Sequence, residues 1–256
     1  MLLPSRVAAT AACIACLLTA TLAPAAVRAF GDAGSVDIRM LDYNGGNPAP
    51  RPTAARRLAW AVRERTSVET RLEPSRVRLD TPALFDSPLL YWSGDRAFPP
   101  LAAAEVTALR RFVEFGGFVL IDDAAPEDSG FDASVRRDLA RAFGDGALRS
   151  LPPTHTLYRS FYLLRQPVGR VRDPDHLEVI MQGPRAAVIY SRHDLGGAWD
   201  RDDLGHWRVA ALDAGPEQRE SAVRLGVNLV MYALCLDYKD DQVHAPFIMR
   251  RQSVAP

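Results

Sequence analysis

Short apolar runs recur along the chain, each ends in a polar cluster, and amphipathic helical patterns separate them. The runs LLYW (89–92), FVLI (118–121) and AAVIY (186–190) are shorter than typical helices. Continuous apolar runs of this length are typical of strands covered on both faces. The spacing of apolar residues in AEVTALRRFVEF (104–115) predicts a crossover helix between two of them. We therefore predict an α/β fold, a three-layer sandwich with a mainly parallel, doubly wound sheet.

The flanking segments extend this alternation. VDIRMLDY (36–43) alternates apolar residues and runs into Asn44-Gly45-Gly46, which predicts a strand ending in a glycine turn. Pro52 and Thr53 are residues that often open a helix. Residues 207–212 predict a strand, and residues 216–236 predict a deeply packed helix because they are apolar on nearly every side.

The N-terminus has the pattern of a secretory signal peptide. Arg6 precedes an apolar run over residues 7–23, and Pro24 and the small-residue pattern Val27-Arg28-Ala29 follow it. We predict a signal peptide at 1–29, a single α/β domain at 30–238 and a polar C-terminal tail at 239–256. The alternative is an uncleaved membrane anchor, since the run is close to the minimum spanning length. The expected location is the periplasm or the exterior.

Charge and cysteine content narrow the kinds of partner. Without Arg6 and Arg28, 29 basic residues face 31 acidic residues. This balance argues against nucleic acid or an anionic membrane surface as the main partner. Membrane contact is expected only through an uncleaved signal segment. Cys235 is the only cysteine after the predicted cleavage site, which excludes an internal disulfide framework, and we expect it to be a buried core residue.

The polar clusters that follow the strands form the candidate site. In doubly wound sheets, ligands bind outside the carboxyl ends of the strands, where the strand order reverses. If the strands are parallel, all the clusters lie along one rim of the sheet. The candidate ligand-binding residues of this rim are Asn44, Gly45, Gly46, Ser93, Asp95, Arg96, Asp122, Asp123, Ser191, His193, Asp194 and Trp199.

Two of these clusters have both a functional and a purely structural interpretation. The backbone amides of Asn44-Gly45-Gly46 could cradle an anion, or the segment could be a plain tight turn. Asp122 and Asp123 are candidate ligands of a divalent cation such as Mg²⁺ or Ca²⁺, or a general acid and base. Helix capping and ion pairs with arginine explain the same two carboxylates equally well.

Two further features of the rim are also ambiguous. His193 and Asp194 could be a base and the residue that orients it, although adjacent residues at a strand end often point apart. An exposed loop pair is the alternative. Trp199 could stack on a planar ligand or pack in the core.

Known catalytic motifs are missing from the chain after the predicted signal peptide. Residues 30–256 contain no GxSxG, HExxH or CxxC pattern, and no predicted strand is followed by a cysteine. A thiol nucleophile on a strand-end turn is therefore excluded.

Several stretches in one order resemble a known family. They are SPLLYWSGDRAF, FVEFGGFVLIDDA, the pair Phe131-Asp132, LPPTHTLYRSFYLL, VIYSRHDLGGAW and RLGVNLVMYAL. Together, over residues 36–236, they resemble the bacterial family called domain of unknown function 4159. The resemblance implies a flavodoxin-like or class I glutamine amidotransferase-like α/β fold. It also implies export or attachment to larger membrane proteins, in some cases beside MoxR-type ATPases and von Willebrand A-type proteins.

The resemblance implies no catalytic residues, because no activity is established for the family. Compared with amidotransferases, the chain lacks the cysteine nucleophile. The sequence leaves open whether the protein is an enzyme, and three hypotheses follow. The first is a non-catalytic binding or interaction module of the cell envelope that recognises a small polar ligand, a glycan fragment or a partner protein. The second is a metal-assisted hydrolase using Asp122 and Asp123, and the third is a structural subunit of an envelope complex.

Overall fold

The computed structural model describes residues 35–252 except 173 and 213, with side chains up to residue 235. The predicted signal peptide at 1–29 lies outside the described residues. The strands are β1 (Arg39–Leu41), β2 (Arg76–Val77), β3 (Leu89–Gly94), β4 (Phe118–Asp123), β5 (Arg149–Ser150), β6 (Glu178–Gln182) and β7 (Arg185–Ser191). The helices are α1 (Ala54–Arg65), α2 (Ala103–Glu114), α3 (Ser129–Phe143), α4 (Leu195–Trp199) and α5 (Gly215–Gln252).

The strands form one seven-stranded sheet in the order β2-β1-β3-β4-β7-β6-β5. The first five of these are parallel to one another, whereas β6 runs antiparallel to β7 and to β5. The arrangement β2-β1-β3-β4-β7 corresponds to the flavodoxin-like order, in which the chain changes direction across the sheet between its first and third strands. The prediction of a mainly parallel α/β sheet is confirmed.

Helices cover both faces of the sheet. One core cluster joins α1, α4 and α5 to the sheet through residues such as Leu58, Trp199 and Leu225. A second cluster joins α2 and α3 to the opposite face, with Phe112 and Phe131 at its centre. Every residue of β3, β4 and β7 is buried, which explains why these strands are nearly continuous apolar runs.

The structure corrects two of the sequence predictions and changes a third. Residues 207–212 are not a strand; Trp207 makes only an isolated bridge to Arg201. Cys235 is exposed and is not a core residue. The last helix, expected to end near residue 236, continues to Gln252. Among the described residues, no helix combines the length and the apolar character needed to cross a bilayer.

Candidate functional site

The carboxyl ends of β1 and β3 lie where the strand order reverses, and we call the space between the segments that follow them the crevice. The segment after β1 turns sharply because Gly45 and Gly46 both have positive φ angles, of 69° and 57°. The Tyr43 hydroxyl donates to the carbonyl oxygen of Ser93 at 3.0 Å, which ties this segment to the end of β3. Asn44, Gly45 and Arg96 are exposed at the crevice.

Asp95 is the best-connected polar residue of this crevice. Its carboxylate accepts from the Asn47 side-chain amide at 2.9 Å and from Arg96 Nε at 2.8 Å. Burial alone would raise the pKa of Asp95, but the hydrogen bonds from Arg96 and Asn47 outweigh it and lower that pKa. Asp95 is therefore an anion at neutral pH, and it is only half-buried.

Asp122 and Asp123 end β4 and point to opposite faces of the sheet, as successive residues of a strand do. Asp122 faces α4. Its Oδ1 accepts from the Leu195 amide at 2.8 Å, and its Oδ2 accepts from the Gly196 amide at 2.7 Å and the Tyr91 hydroxyl at 2.8 Å. Burial, and then the nearby charge of Asp194, raise the pKa of Asp122 to about 7.

Asp123 faces α3 on the other side of the sheet. It accepts from the Ala125 amide at 3.0 Å, and Arg192 Nε lies 3.8 Å from its Oδ2. Burial raises the pKa of Asp123 to about 6, although the Ala125 amide and Arg192 oppose this shift. Since the two neighbouring carboxylates lie on different faces, they do not form a ligand pair for one cation.

Asp194 is held by two arginines at the end of β7. Arg51 binds its carboxylate in a bidentate manner, with Nε donating to Oδ1 at 3.0 Å and Nη2 donating to Oδ2 at 2.6 Å. Arg170 Nε also donates to this carboxylate. Asp194 is the one non-glycine residue with a positive φ, 47°, among the described residues. Its Oδ1 also caps α4 by accepting from the Gly197 amide at 2.9 Å.

His193 and Ser191 contact each other but are fully buried. His193 Nδ1 lies 3.3 Å from Ser191 Oγ, and His193 Nε2 lies 2.6 Å from the Pro174 carbonyl oxygen. The segment around Gly169 crosses over this end of β7, because the Val171 amide donates to the His193 carbonyl oxygen. A serine and a histidine in this geometry resemble a nucleophile and its base, but here they are closed off from solvent.

The structure therefore divides the twelve predicted rim residues into two sets. The half-buried or exposed set, Asn44, Gly45, Gly46, Asp95 and Arg96, surrounds the crevice between β1 and β3. The remaining seven residues are buried beneath the rim; they are Ser93, Asp122, Asp123, Ser191, His193, Asp194 and Trp199. His193 and Asp194 are thus not an exposed loop pair. Trp199 packs against Tyr91 and donates to the Ala222 carbonyl oxygen, so it is a core residue.

Sequence reasoning missed the side chains that hold the buried carboxylates. Arg51 lies between Pro50 and Pro52 in a loop, Arg170 lies in a segment without periodicity, and Tyr91 belongs to an apolar strand. None of the three stands in a recognisable motif, because their partners are distant in the chain. The positive charge of Arg51 reaches both Asp194 and Asp95, so this residue links the two sets of rim residues.

Among the described residues, no three His, Cys, Asp or Glu side chains are grouped so that they could hold a metal ion. A cavity of about 470 Å³ lies at the other end of the strands, away from the rim. It is lined by the C-terminal turns of α2 and α3 and by Gln182.

Comparison with known proteins gives the family. The family model described as Domain of unknown function (DUF4159) matches residues 37–234, which is most of the chain and includes all seven strands and the candidate rim. A search of curated proteins found no match. The match covers most of the chain and includes the motifs named above in the same order. The chain belongs to the DUF4159 family.

Proposed function

We propose that the protein is a non-catalytic binding or interaction module of the cell envelope, and that it recognises its ligand or partner at the crevice between β1 and β3. The observation that supports this most directly is the state of the buried carboxylates. Asp122 accepts three hydrogen bonds from the protein, and Asp194 is held by two guanidinium groups and a backbone amide. Groups that are already satisfied inside the fold position the rim and do not face a substrate.

The exposed residues of the crevice supply the polar groups for recognition. Asn44 and Asp95 offer acceptors, Arg96 offers donors, and the Gly45–Gly46 backbone lies open beside them. Arg96 is 63% exposed, so its guanidinium can turn from Asp95 to a ligand at small cost. A small polar ligand, a glycan fragment or a polar loop of an envelope protein carries matching groups. The envelope location is proposed from the signal-peptide pattern at 1–29.

The first test uses the chain without residues 1–29. Calorimetric titration with muropeptides, simple sugars and amino acids should find binding that Asp95→Asn and Asn47→Ala weaken. Asp86→Asn is the matched control, because this exposed aspartate has one long ion pair, 3.8 Å from Arg39. Turnover in a broad hydrolase panel that Asp122→Asn abolishes would contradict the proposal, as would binding that neither crevice variant affects.

The second candidate is the metal-assisted hydrolase, with Asp122 and Asp123 acting as separate groups on opposite faces of the sheet, and the raised pKa values of both carboxyl groups favour it. A carboxyl group with a pKa of about 6 or 7 can exchange a proton at neutral pH. A thermal-shift series with Mg²⁺, Ca²⁺, Mn²⁺ and Zn²⁺ tests this alternative. A metal-dependent rise that is lost in Asp122→Asn or Asp123→Asn would favour it, since a ligand that binds only the native state raises the midpoint.

A further inference from the structure

Trp207 lies against two arginines on the surface beside α1 and α5. The guanidinium carbon of Arg201 is 3.7 Å from the centre of the indole ring, and that of Arg219 is 4.2 Å from it. The Trp207 side chain is still 38% exposed, whereas Arg219 is only 6% exposed. Two guanidinium groups are thus stacked on one aromatic ring that solvent can reach.

Arg57 of α1 adds a third positive charge to this surface. Its Nη2 donates to the Asp202 carbonyl oxygen at 3.3 Å, and its buried Nε has no hydrogen-bond partner. The charges of Arg57 and Arg201 act on each other, as do those of Arg201 and Arg219. We call Arg57, Arg201, Arg219 and Trp207 the arginine–tryptophan surface.

Within the described part of the chain, the hydrogen bonds of these three guanidinium groups go to carbonyl oxygens. Arg201 donates to the Gly205 carbonyl oxygen at 3.3 Å, and Arg219 donates to the carbonyl oxygens of Gly197, Ala198 and Val209. In the part of the chain with described side chains, none of the three has a carboxylate oxygen within ion-pair distance. Most arginines of the rim, such as Arg51 and Arg170, do have such a partner.

Asp200 and Asp202, which lie next to Arg201 in the chain, have other partners. Asp200 accepts from the Thr53 amide at 3.0 Å and from its hydroxyl at 2.6 Å, and Arg208 lies 3.8 Å from its second oxygen. Asp202 accepts from the amides of Leu204 and His206. Among the described side chains, no carboxylate therefore forms a direct ion pair with the arginine–tryptophan surface.

Desolvation and mutual repulsion both act on this surface. Burial, and then the charge of Arg57, lower the pKa of Arg201, and burial with the charges of Arg201 and Arg170 lowers the pKa of Arg219. Both arginines are still protonated at neutral pH, because free arginine titrates far above it. A fold that keeps like charges together without a counter-ion gains stability when an anion binds.

We propose that the arginine–tryptophan surface is a binding site for a multivalent oxyanion, a phosphate group or a polycarboxylate. Arg57 and Arg201 can each donate to a different oxygen of a multivalent anion, and the buried Arg219 adds its positive charge from below. Stacking on Trp207 holds the planar guanidinium groups in fixed orientations, which lowers the entropic cost of binding. This site uses none of the crevice residues, so it goes beyond the function proposed above.

The test is a fluorescence titration of the chain without residues 1–29 at constant ionic strength. Inorganic phosphate and citrate should each cause a saturable change in tryptophan emission, and Trp207→Phe should remove it. Arg201→Gln and Arg57→Gln should each weaken the affinity by about tenfold or more, as expected for loss of a charged hydrogen bond. Glycerol 3-phosphate distinguishes a phosphate ester from free phosphate as the preferred source.

Arg63→Gln is the matched control, because it removes one charge from α1 whose partner is Glu69 at 3.4 Å. It should leave the affinity almost unchanged. Arg201→Gln relieves repulsion but also loses the contacts with Trp207 and with the Gly205 carbonyl oxygen, so the thermal midpoint serves to show that the variant is folded and the affinity decides. No saturable change with either phosphate or citrate would overturn the proposal, as would an equal loss of affinity in Arg63→Gln.

Discussion

The hydroxyl of Tyr91 on β3 donates to Oδ2 of Asp122 on the neighbouring strand β4 at 2.8 Å, deep inside the protein. The same carboxylate receives the first two amides of α4, so one side chain joins two strands to the start of a helix. These contacts hold the start of α4 against the ends of β3 and β4.

Tyr91→Phe should lower the free energy of unfolding by about 1–3 kcal/mol, because a fully buried carboxylate loses one of its three donors. Urea unfolding at pH 8, where Asp122 is mostly ionised, measures this change. In an Asp122→Asn background the same substitution should cost much less, since an amide needs the hydroxyl less than an anion does. Equal costs in the two backgrounds would show that the hydroxyl acts through packing alone.

The contribution of Asp122 and Asp123 to stability should fall as the pH rises from about 4 to about 7. The native pKa values of Asp122 and Asp123, about 7 and about 6, lie above the ordinary value of 3.8. The native state therefore binds more protons than the unfolded state in this window. The contribution of each group is complete below its unfolded pKa and is lost as the pH rises through its native pKa. The slope per group is at most about 1.4 kcal/mol per pH unit.

Urea unfolding of the wild type and of Asp122→Asn between pH 4 and pH 8 checks this sign. The difference in unfolding free energy between the two proteins should shrink with rising pH. The hydrogen bond from Arg65 lowers the pKa of Glu220 to about 2. The contribution of Glu220 to stability therefore changes with pH in the opposite direction, but only below about pH 4.5. A difference that stays constant across the whole window would show that Asp122 is not protonated in the native state.

Asp194→Ala should lower the unfolding free energy by about 3–5 kcal/mol, because Arg51 and Arg170 would lose a shared buried partner. Asp194→Asn should cost clearly less, since asparagine tolerates the left-handed backbone at this position and can still cap α4. Chemical unfolding of the two variants provides the comparison. Equal losses would mean that charge matters at Asp194 and that backbone conformation and capping do not.

Gly196→Ala should destabilise the protein by about 1–3 kcal/mol through overpacking. A Cβ atom at this position would lie 2.7 Å from the Tyr91 hydroxyl oxygen and 3.1 Å from Arg51 Cβ. The combination with Tyr91→Phe should be less damaging than the sum of the two changes, because removal of the hydroxyl makes room for the methyl group. Strict additivity in thermal unfolding would contradict this explanation.

The alternation of strands and helices could be predicted from the sequence because it depends on local patterns. FVLI and AAVIY form central strands of the sheet. Val106, Leu109 and Phe112, which have helical spacing, lie on the buried face of α2. The short antiparallel strands β5 and β6 gave no such signal. The segment at 207–212 has strand-like composition but does not pair with a neighbouring strand. A strand needs such a partner, and the local sequence does not specify one.

The sequence by itself determined the α/β class and the positions of the polar clusters at the strand ends. Only the tertiary structure decided which of these polar residues face solvent. Asp95 and Arg96 stayed at the surface, whereas Asp122 and Asp194 were buried by Tyr91, Arg51 and Arg170. The physical reason is distance along the chain: Arg51 and Asp194 are 143 residues apart, and no local pattern encodes a contact of that range.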